Sequence, residues 1–169
     1  MYSYFILSDG NSIAGTEVTL ITNKYQVVDS GGIPTGPIEE YSGVVPNKPF
    51  TLGEKEPDID DCFIVNEDPA SIPTDTRSQP LQKVASFYHP DTKIRLEVST
   101  TEPAFQFYTG KYIDVPAVEG IPERKARSGF CVEPSRYVNA INIPQYRNMM
   151  VLKKGDVYGS KIVYRGWEA

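Results

Sequence analysis

Three stretches of the chain bring acids, amides and phenols together in ways that could serve chemistry. The first is Pro57-Asp58-Ile59-Asp60-Asp61-Cys62-Phe63, an acidic cluster running straight into an apolar segment. Carboxylates this close repel one another unless some meet solvent or hydrogen-bond donors. The cluster fits a ligand-binding carboxylate and an ordinary solvated loop equally well, and it lacks the glycine-containing twelve-residue loop of a calcium-binding EF-hand. The second is Thr100-Thr101-Glu102-Pro103-Ala104-Phe105-Gln106-Phe107-Tyr108-Thr109-Gly110. If Phe105, Phe107 and Thr109 face one way along a strand, Gln106 and Tyr108 project together from the other face. An amide beside a phenol suits hydrogen bonding to sugar hydroxyls, although a plain strand with a polar outer face has the same pattern. The third is Ser128-Gly129-Phe130-Cys131-Val132-Glu133-Pro134, where a carboxylate ends an apolar strand beside a proline that stops it. With a raised pKa such a glutamate acts as a general base; without one it is an edge-strand glutamate.

Other signatures are missing. The sequence has no Walker-type phosphate loop, dinucleotide glycine fingerprint, nucleophile elbow or zinc-ligand spacing, so neither a cofactor nor a metal is expected. Cys62 and Cys131 lie far apart among apolar neighbours, which predicts buried free thiols rather than a disulfide or metal clip. The lone His89 sits in the turn signal Tyr88-His89-Pro90-Asp91 and is expected to be a solvated loop residue. What is left is a chain able to bind or isomerise a polyol.

The elements that must position these residues are strands. Fourteen prolines and thirteen glycines are scattered among short runs rich in Val, Ile, Tyr and Phe, the pattern of an all-β domain. Strands are predicted at 4–7, 17–22, 25–28, 62–65, 84–88, 93–99, 105–108, 129–133, 149–153 and 157–164. Ile94, Leu96 and Val98 alternate with Arg95, Glu97 and Ser99, which is period-two patterning with one buried face. The only helical feature predicted is a turn within 67–71. The Gly- and Pro-rich stretch 31–55 reads as short loops within one sandwich, so residues 1–169 are treated as one domain.

Composition narrows the function classes. A length of 169 residues with 40% apolar content suits one globular unit. A formal charge of -5 gives no general attraction to nucleic acid or anionic lipid. The longest apolar runs, 62–65 and 149–152, are far too short to span a bilayer, and Met1-Tyr2-Ser3-Tyr4 lacks the charged start of a signal peptide, so the reading is cytoplasmic.

Taken in order, the motifs resemble those of the aldose 1-epimerase (galactose mutarotase) family. The run 99–110 is similar to its Thr-x-x-Pro-Gly-x-Gln-x-Tyr-Thr-Gly segment, and 128–133 to its Ser-Gly-Phe-Cys-x-Glu segment. Val138-Asn139-Ala140-Ile141-Asn142 resembles the Asp-Ala-x-Asn that follows, and 152–165 the closing Leu-x-Pro-Gly-Glu-x-Tyr and Tyr-Arg-Phe strands. Upstream, Gly15-Thr16, Ile33-Pro34-Thr35-Gly36 and Ile59-Asp60 also match. The resemblance is strongest to the mutarotase domain of bifunctional yeast galactose enzymes and covers essentially the whole chain. It implies a galactose-mutarotase-like β-sandwich represented by roughly its C-terminal half.

That family interconverts α and β anomers of galactose or glucose without a cofactor, in hexose metabolism. By resemblance, Glu133 takes the position of the general base. Gln106 and Asp60 match positions that hydrogen-bond the sugar's hydroxyls, with Asp61 the adjacent alternative to Asp60. The family's His-Ser-Tyr-Phe-Asn-Leu is met here by Tyr2-Ser3-Tyr4-Phe5-Ile6-Leu7, so Tyr2 stands in place of the acid histidine. A phenol of pKa about 10 is a feeble substitute for an imidazole of about 6.5 where acid catalysis contributes about 10²–10⁴-fold. Weak or absent mutarotation is therefore expected, with a non-catalytic carbohydrate-binding or vestigial protein as the alternative. A half-sandwich also exposes sheet edges, which invites aggregation or pairing with another copy, and three explanations compete: a fragment or degenerate product, a subunit completed by a partner chain, and a shortened sandwich that still binds sugar.

Overall fold

A computed structural model describes residues 3–169. Among these residues, eleven strands form two antiparallel sheets. The first holds six: β1 (Tyr4–Phe5), β10 (Phe130–Ser135), β9 (Ala104–Tyr108), β6 (Asp60–Ile64), β3 (Lys24–Val28) and β4 (Pro34–Glu40), in that spatial order. The second runs β11 (Ile162–Glu168), β8 (Ile94–Thr100), β7 (Gln82–Tyr88), β2 (Glu17–Leu20) and β5 (Phe50–Thr51). This is the expected all-β sandwich. No helix among the described residues is long and apolar enough to cross a membrane.

Aromatic residues at alternate positions weld the sheets together. Phe87 of the second sheet stacks on Phe130 of the first at 4.4 Å between ring centroids, with Phe107 tilted against Phe87 and edge-on to Phe130. Phe63 and Phe105, neighbours on β6 and β9, stack at 5.6 Å. All five are buried, together with Val18, Leu20, Leu96, Val98 and Val132. Such pairs add about 0.5–1.5 kcal/mol beyond the area they bury. As the alternation predicted, Phe105, Phe107 and Thr109 are buried while Gln106 and Tyr108 are only partly so.

A second cluster coats the outer face of the six-stranded sheet. Cys62, Ile64 and Ala104 lie under Tyr137, Ala140, Tyr146 and Met149 from the loop after β10. That loop is tied down by Tyr137 Oη donating to the Asn66 carbonyl and Tyr146 Oη donating to the Gly36 carbonyl. Gln26, fully buried, grips it from below, accepting from the Val138 N–H at 2.8 Å and donating to the Val138 carbonyl at 3.2 Å.

Several expectations fail for identifiable reasons. Residues 149–153 form no strand: Arg147–Met150 is a short 3-10 turn whose Met149 is buried, and Val151 and Leu152 remain exposed. The last strand begins at Ile162, later than predicted, and runs on to Glu168. Strand β4 lies in the stretch read as loops, because Pro34 and Pro37 are tolerated only where a strand has a free edge, as β4 does. Ile94, at the end of β8, is exposed. His89 is buried rather than solvated, with Nε2 3.3 Å from the Ala14 carbonyl. The turn predicted within 67–71 is a 3-10 turn at Pro69–Ser71, capped by Asp68 accepting from the Ala70 N–H. Cys62 and Cys131 are buried free thiols, as expected.

Candidate functional site

Strands β6, β9 and β10 lie side by side, and their register decides which side chains share the outer face. Glu133 pairs with Gln106, and Gln106 pairs on its other side with Cys62. One step along, Asp60, Tyr108, Cys131 and Tyr4 form a row across four strands. Directly paired residues point the same way and successive residues alternate. Asp60, Gln106, Glu133, Tyr108 and Tyr4 therefore project outward together and line one open cleft of about 830 Å³. The loop carrying Tyr137, Val138 and Asn139 walls one side, and Tyr158 and Ser160 stand at the far end.

The acidic cluster separates its charges. Asp58 pairs with Lys111 at 2.5 Å. Asp60 Oδ1 accepts from Gln106 Nε2 at 2.8 Å, which fixes the amide and leaves its carbonyl oxygen free to accept. Asp61 points to the opposite side of the sheet, in the same file as the buried Phe107, and burial pushes its carboxyl above the ordinary range. Of the two adjacent candidates, Asp60 is the one in the cleft.

Glu133 is half-buried, and burial raises its pKa, with the charge of Asp60 adding to the rise. A carboxylate that holds a proton more readily is a stronger base nearer neutral pH. Tyr4 is pushed up to about 12, chiefly by burial and then by Cys131, and meets Tyr108 edge-on at 6.4 Å. Tyr108 Oη accepts from the Tyr112 N–H at 2.6 Å. At the turn after β9, Gly110 has φ +80, and a Cβ there would lie 2.2 Å from the Gly129 carbonyl. Only glycine lets β9 turn away so close to the start of β10.

The family resemblance points to Glu133, Gln106 and Asp60, and the strand register puts the three on one face. Tyr2 lies outside the described residues. His89 does not line the cleft. Reasoning from sequence missed Glu102, Arg136 and Tyr158, which line its far end. Glu102 stood in a quoted motif as a polar residue before a proline, and nothing local marked its partner Arg136, 34 positions away.

The aldose 1-epimerase family pattern matches residues 2–165. The bifunctional protein GAL10 of Kluyveromyces lactis is 40% identical over 167 residues, covering 96% of this chain and 23% of that protein. Galactose mutarotase of Sus scrofa is 34% identical, covering 93% of this chain and 46% of the relative. The crystal structure of a GalM/aldose epimerase homologue from C. elegans superposes with a TM-score of 0.81 at 20% identity, over 99% of this chain and 50% of that one. The chain thus spans about half the length of the galactose mutarotase and under a quarter of the bifunctional protein.

Proposed function

The chain belongs to the aldose 1-epimerase family, and on that premise we propose that its cleft binds a free aldohexose, galactose or glucose, and interconverts its α and β anomers. The observation carrying this reading is the convergence of Glu133, Gln106 and Asp60 from three neighbouring strands on one outward face. Glu133 is the general base that takes the proton from the anomeric hydroxyl. As that proton leaves, the bond from carbon 1 to the ring oxygen breaks, the ring oxygen gains a proton, and an open-chain aldehyde forms. Rotation about the bond between carbons 1 and 2, then reclosure, delivers the other anomer. Gln106 and Asp60 hold the remaining hydroxyls through these steps, so the opened chain stays beside the base.

The acid that protonates the ring oxygen is the weak part of this constellation. Among the described residues that line the cleft there is no histidine. The phenols present include Tyr4, Tyr108 and Tyr158, and for all three burial raises the pKa further from neutrality. This observation favours a second reading, in which the cleft binds the sugar and turns it over slowly or not at all.

Polarimetry of freshly dissolved α-D-galactose separates the readings. The chain should accelerate the approach to the equilibrium rotation over buffer, and Glu133→Gln should return the rate to that of buffer. A folded protein no faster than buffer would overturn the catalytic reading and leave sugar binding to be measured by calorimetry.

A further inference from the structure

Beyond Glu133, Gln106 and Asp60 the cleft continues to a second group of polar side chains. Glu102 lies four residues before Gln106 on the chain, and Arg136 lies three after Glu133, so the group sits on the order of 10 Å along the strands. The side chains of Arg136 and Glu102 are 5% and 1% exposed, with Arg136 Nε 3.3 Å from Glu102 Oε2. The contact lacks hydrogen-bond alignment, and Glu102 Oε2, Arg136 Nε and Arg136 Nη1 have no hydrogen-bond partner among the described residues. Tyr158 covers the pair: its hydroxyl donates to Glu102 Oε1 at 3.1 Å, and its ring centroid lies 5.6 Å from the Arg136 guanidinium carbon. Tyr158 itself is 55% exposed.

We propose that this far end of the cleft, where Tyr158 stands over the Glu102–Arg136 pair, is a second subsite for a neutral glycosyl unit carried on the bound hexose. The proposal rests on the reading that the cleft binds an aldohexose. Arg136 Nη1 has no partner, and Arg136 Nε and Glu102 Oε2 face each other without hydrogen-bond geometry, an arrangement that hydroxyl groups, each of which both donates and accepts, would complete. An exposed aromatic ring supplies a plate for a sugar face. Charge disfavours a phosphate or a uronate, since among the described residues Asp60, Glu102 and Glu133 line the cleft against the single cation Arg136. A volume of about 830 Å³ is ample for more than one ring.

Geometry also selects the linkage. Glu133 pairs with Gln106, and Asp60 sits on the next strand opposite Tyr108, so the three run obliquely across the strands and away from Glu102; a hexose laid along them with carbon 1 at Glu133 carries carbon 4 toward Asp60. The second group lies along the strands instead, at the flank of that ring. A substituent reaches it from oxygen 2 or oxygen 6, whereas one on oxygen 4 runs on past Asp60.

Calorimetry with the folded chain tests this, using glucose, galactose, a 6-linked disaccharide (melibiose), a 2-linked one (sophorose) and a 4-linked one (lactose). Melibiose or sophorose should bind about tenfold tighter than glucose, and lactose should gain nothing. In Tyr158→Ala the ratio of disaccharide to glucose affinity should fall to near one. Tyr158→Phe keeps the plate and frees Glu102, so it should retain most of the gain and serves should the alanine variant fail to fold. Glucose or galactose binding with no gain for either flank-linked sugar, or a gain that survives Tyr158→Ala, overturns this proposal alone. No binding of any sugar overturns it together with the reading it rests on.

Discussion

The buried Glu102–Arg136 pair yields a quantitative prediction. Arg136 donates to the Thr74 carbonyl at 2.8 Å as well as facing Glu102, and it joins β10 to the segment before β7. Replacing it with methionine keeps much of the apolar stem but leaves the Glu102 carboxylate buried with only the Tyr158 hydroxyl as partner. An ion pair broken in this way costs about 3–5 kcal/mol, because one charge remains desolvated and uncompensated. Glu102→Gln strands the guanidinium in the same manner and should cost a similar amount. The double variant Glu102→Gln/Arg136→Met removes both charges. It loses the Thr74 contact, worth about 1 kcal/mol, while the amide oxygen introduced at position 102 can still accept from Tyr158. The double variant should therefore be more stable than either single one. With a slope of about 2 kcal/mol per molar, a loss of about 4 kcal/mol lowers the urea midpoint by about 2 M, which far-ultraviolet dichroism resolves. Two singles that each lose less than about 1 kcal/mol, or a double equal to their sum, would refute the reasoning.

Two further outcomes follow from the titratable groups. Burial raises the native pKa of Glu133, so the folded chain keeps that proton to higher pH than the unfolded chain does. The associated stability is complete below the ordinary glutamate value of about 4.3 and is lost as pH rises through the raised native value. Glu133→Gln should accordingly melt above the parent at pH 7, with the gap closing toward pH 4; a gap independent of pH would contradict this. Burial also pushes both thiols up to about 12. Neither Cys62 nor Cys131 should react with an aromatic disulfide reagent at pH 8 until urea unfolds the chain, and a fast native thiol would contradict the burial of at least one of them.

The parts of the fold legible in the sequence are those where alternation is uninterrupted. The runs ending β9 and β10 announce both their strands and their faces, since Phe105, Phe107, Phe130 and Val132 can only point inward. Strand β4 was hidden because its prolines read as loop, and only its place at an edge makes them harmless. The run 149–152 misled in the other direction. Its apolar residues suggest a strand, but Met149 anchors a loop in the outer cluster while Met150, Val151 and Leu152 stay exposed. His89 was misplaced because a turn signal describes backbone and says nothing of what a neighbouring segment lays over the side chain.

The site shows why local pattern stops short. Alternation alone puts Gln106 and Glu133 on outer faces, yet it cannot say that they are neighbours, because that depends on register. Register is set from the other side of the sheet. Phe63 against Phe105 and Phe107 against Val132 are cross-strand pairs within the core, and slipping β6, β9 or β10 by one residue would drive Asp60, Gln106 or Glu133 into it. The aromatic core thus fixes the geometry of the polar face it never touches. Glu102 and Arg136 escaped notice for a related reason: they lie where β9 begins and just past the end of β10, beyond the regular alternation. Their meeting depends on bends that no two-residue period describes. A cleft whose near end is fixed by strand register and whose far end is fixed by a buried ion pair should respond differently to changes in each. Core substitutions that preserve register should leave the Glu133, Gln106 and Asp60 cluster intact, whereas breaking the ion pair should loosen only the far end.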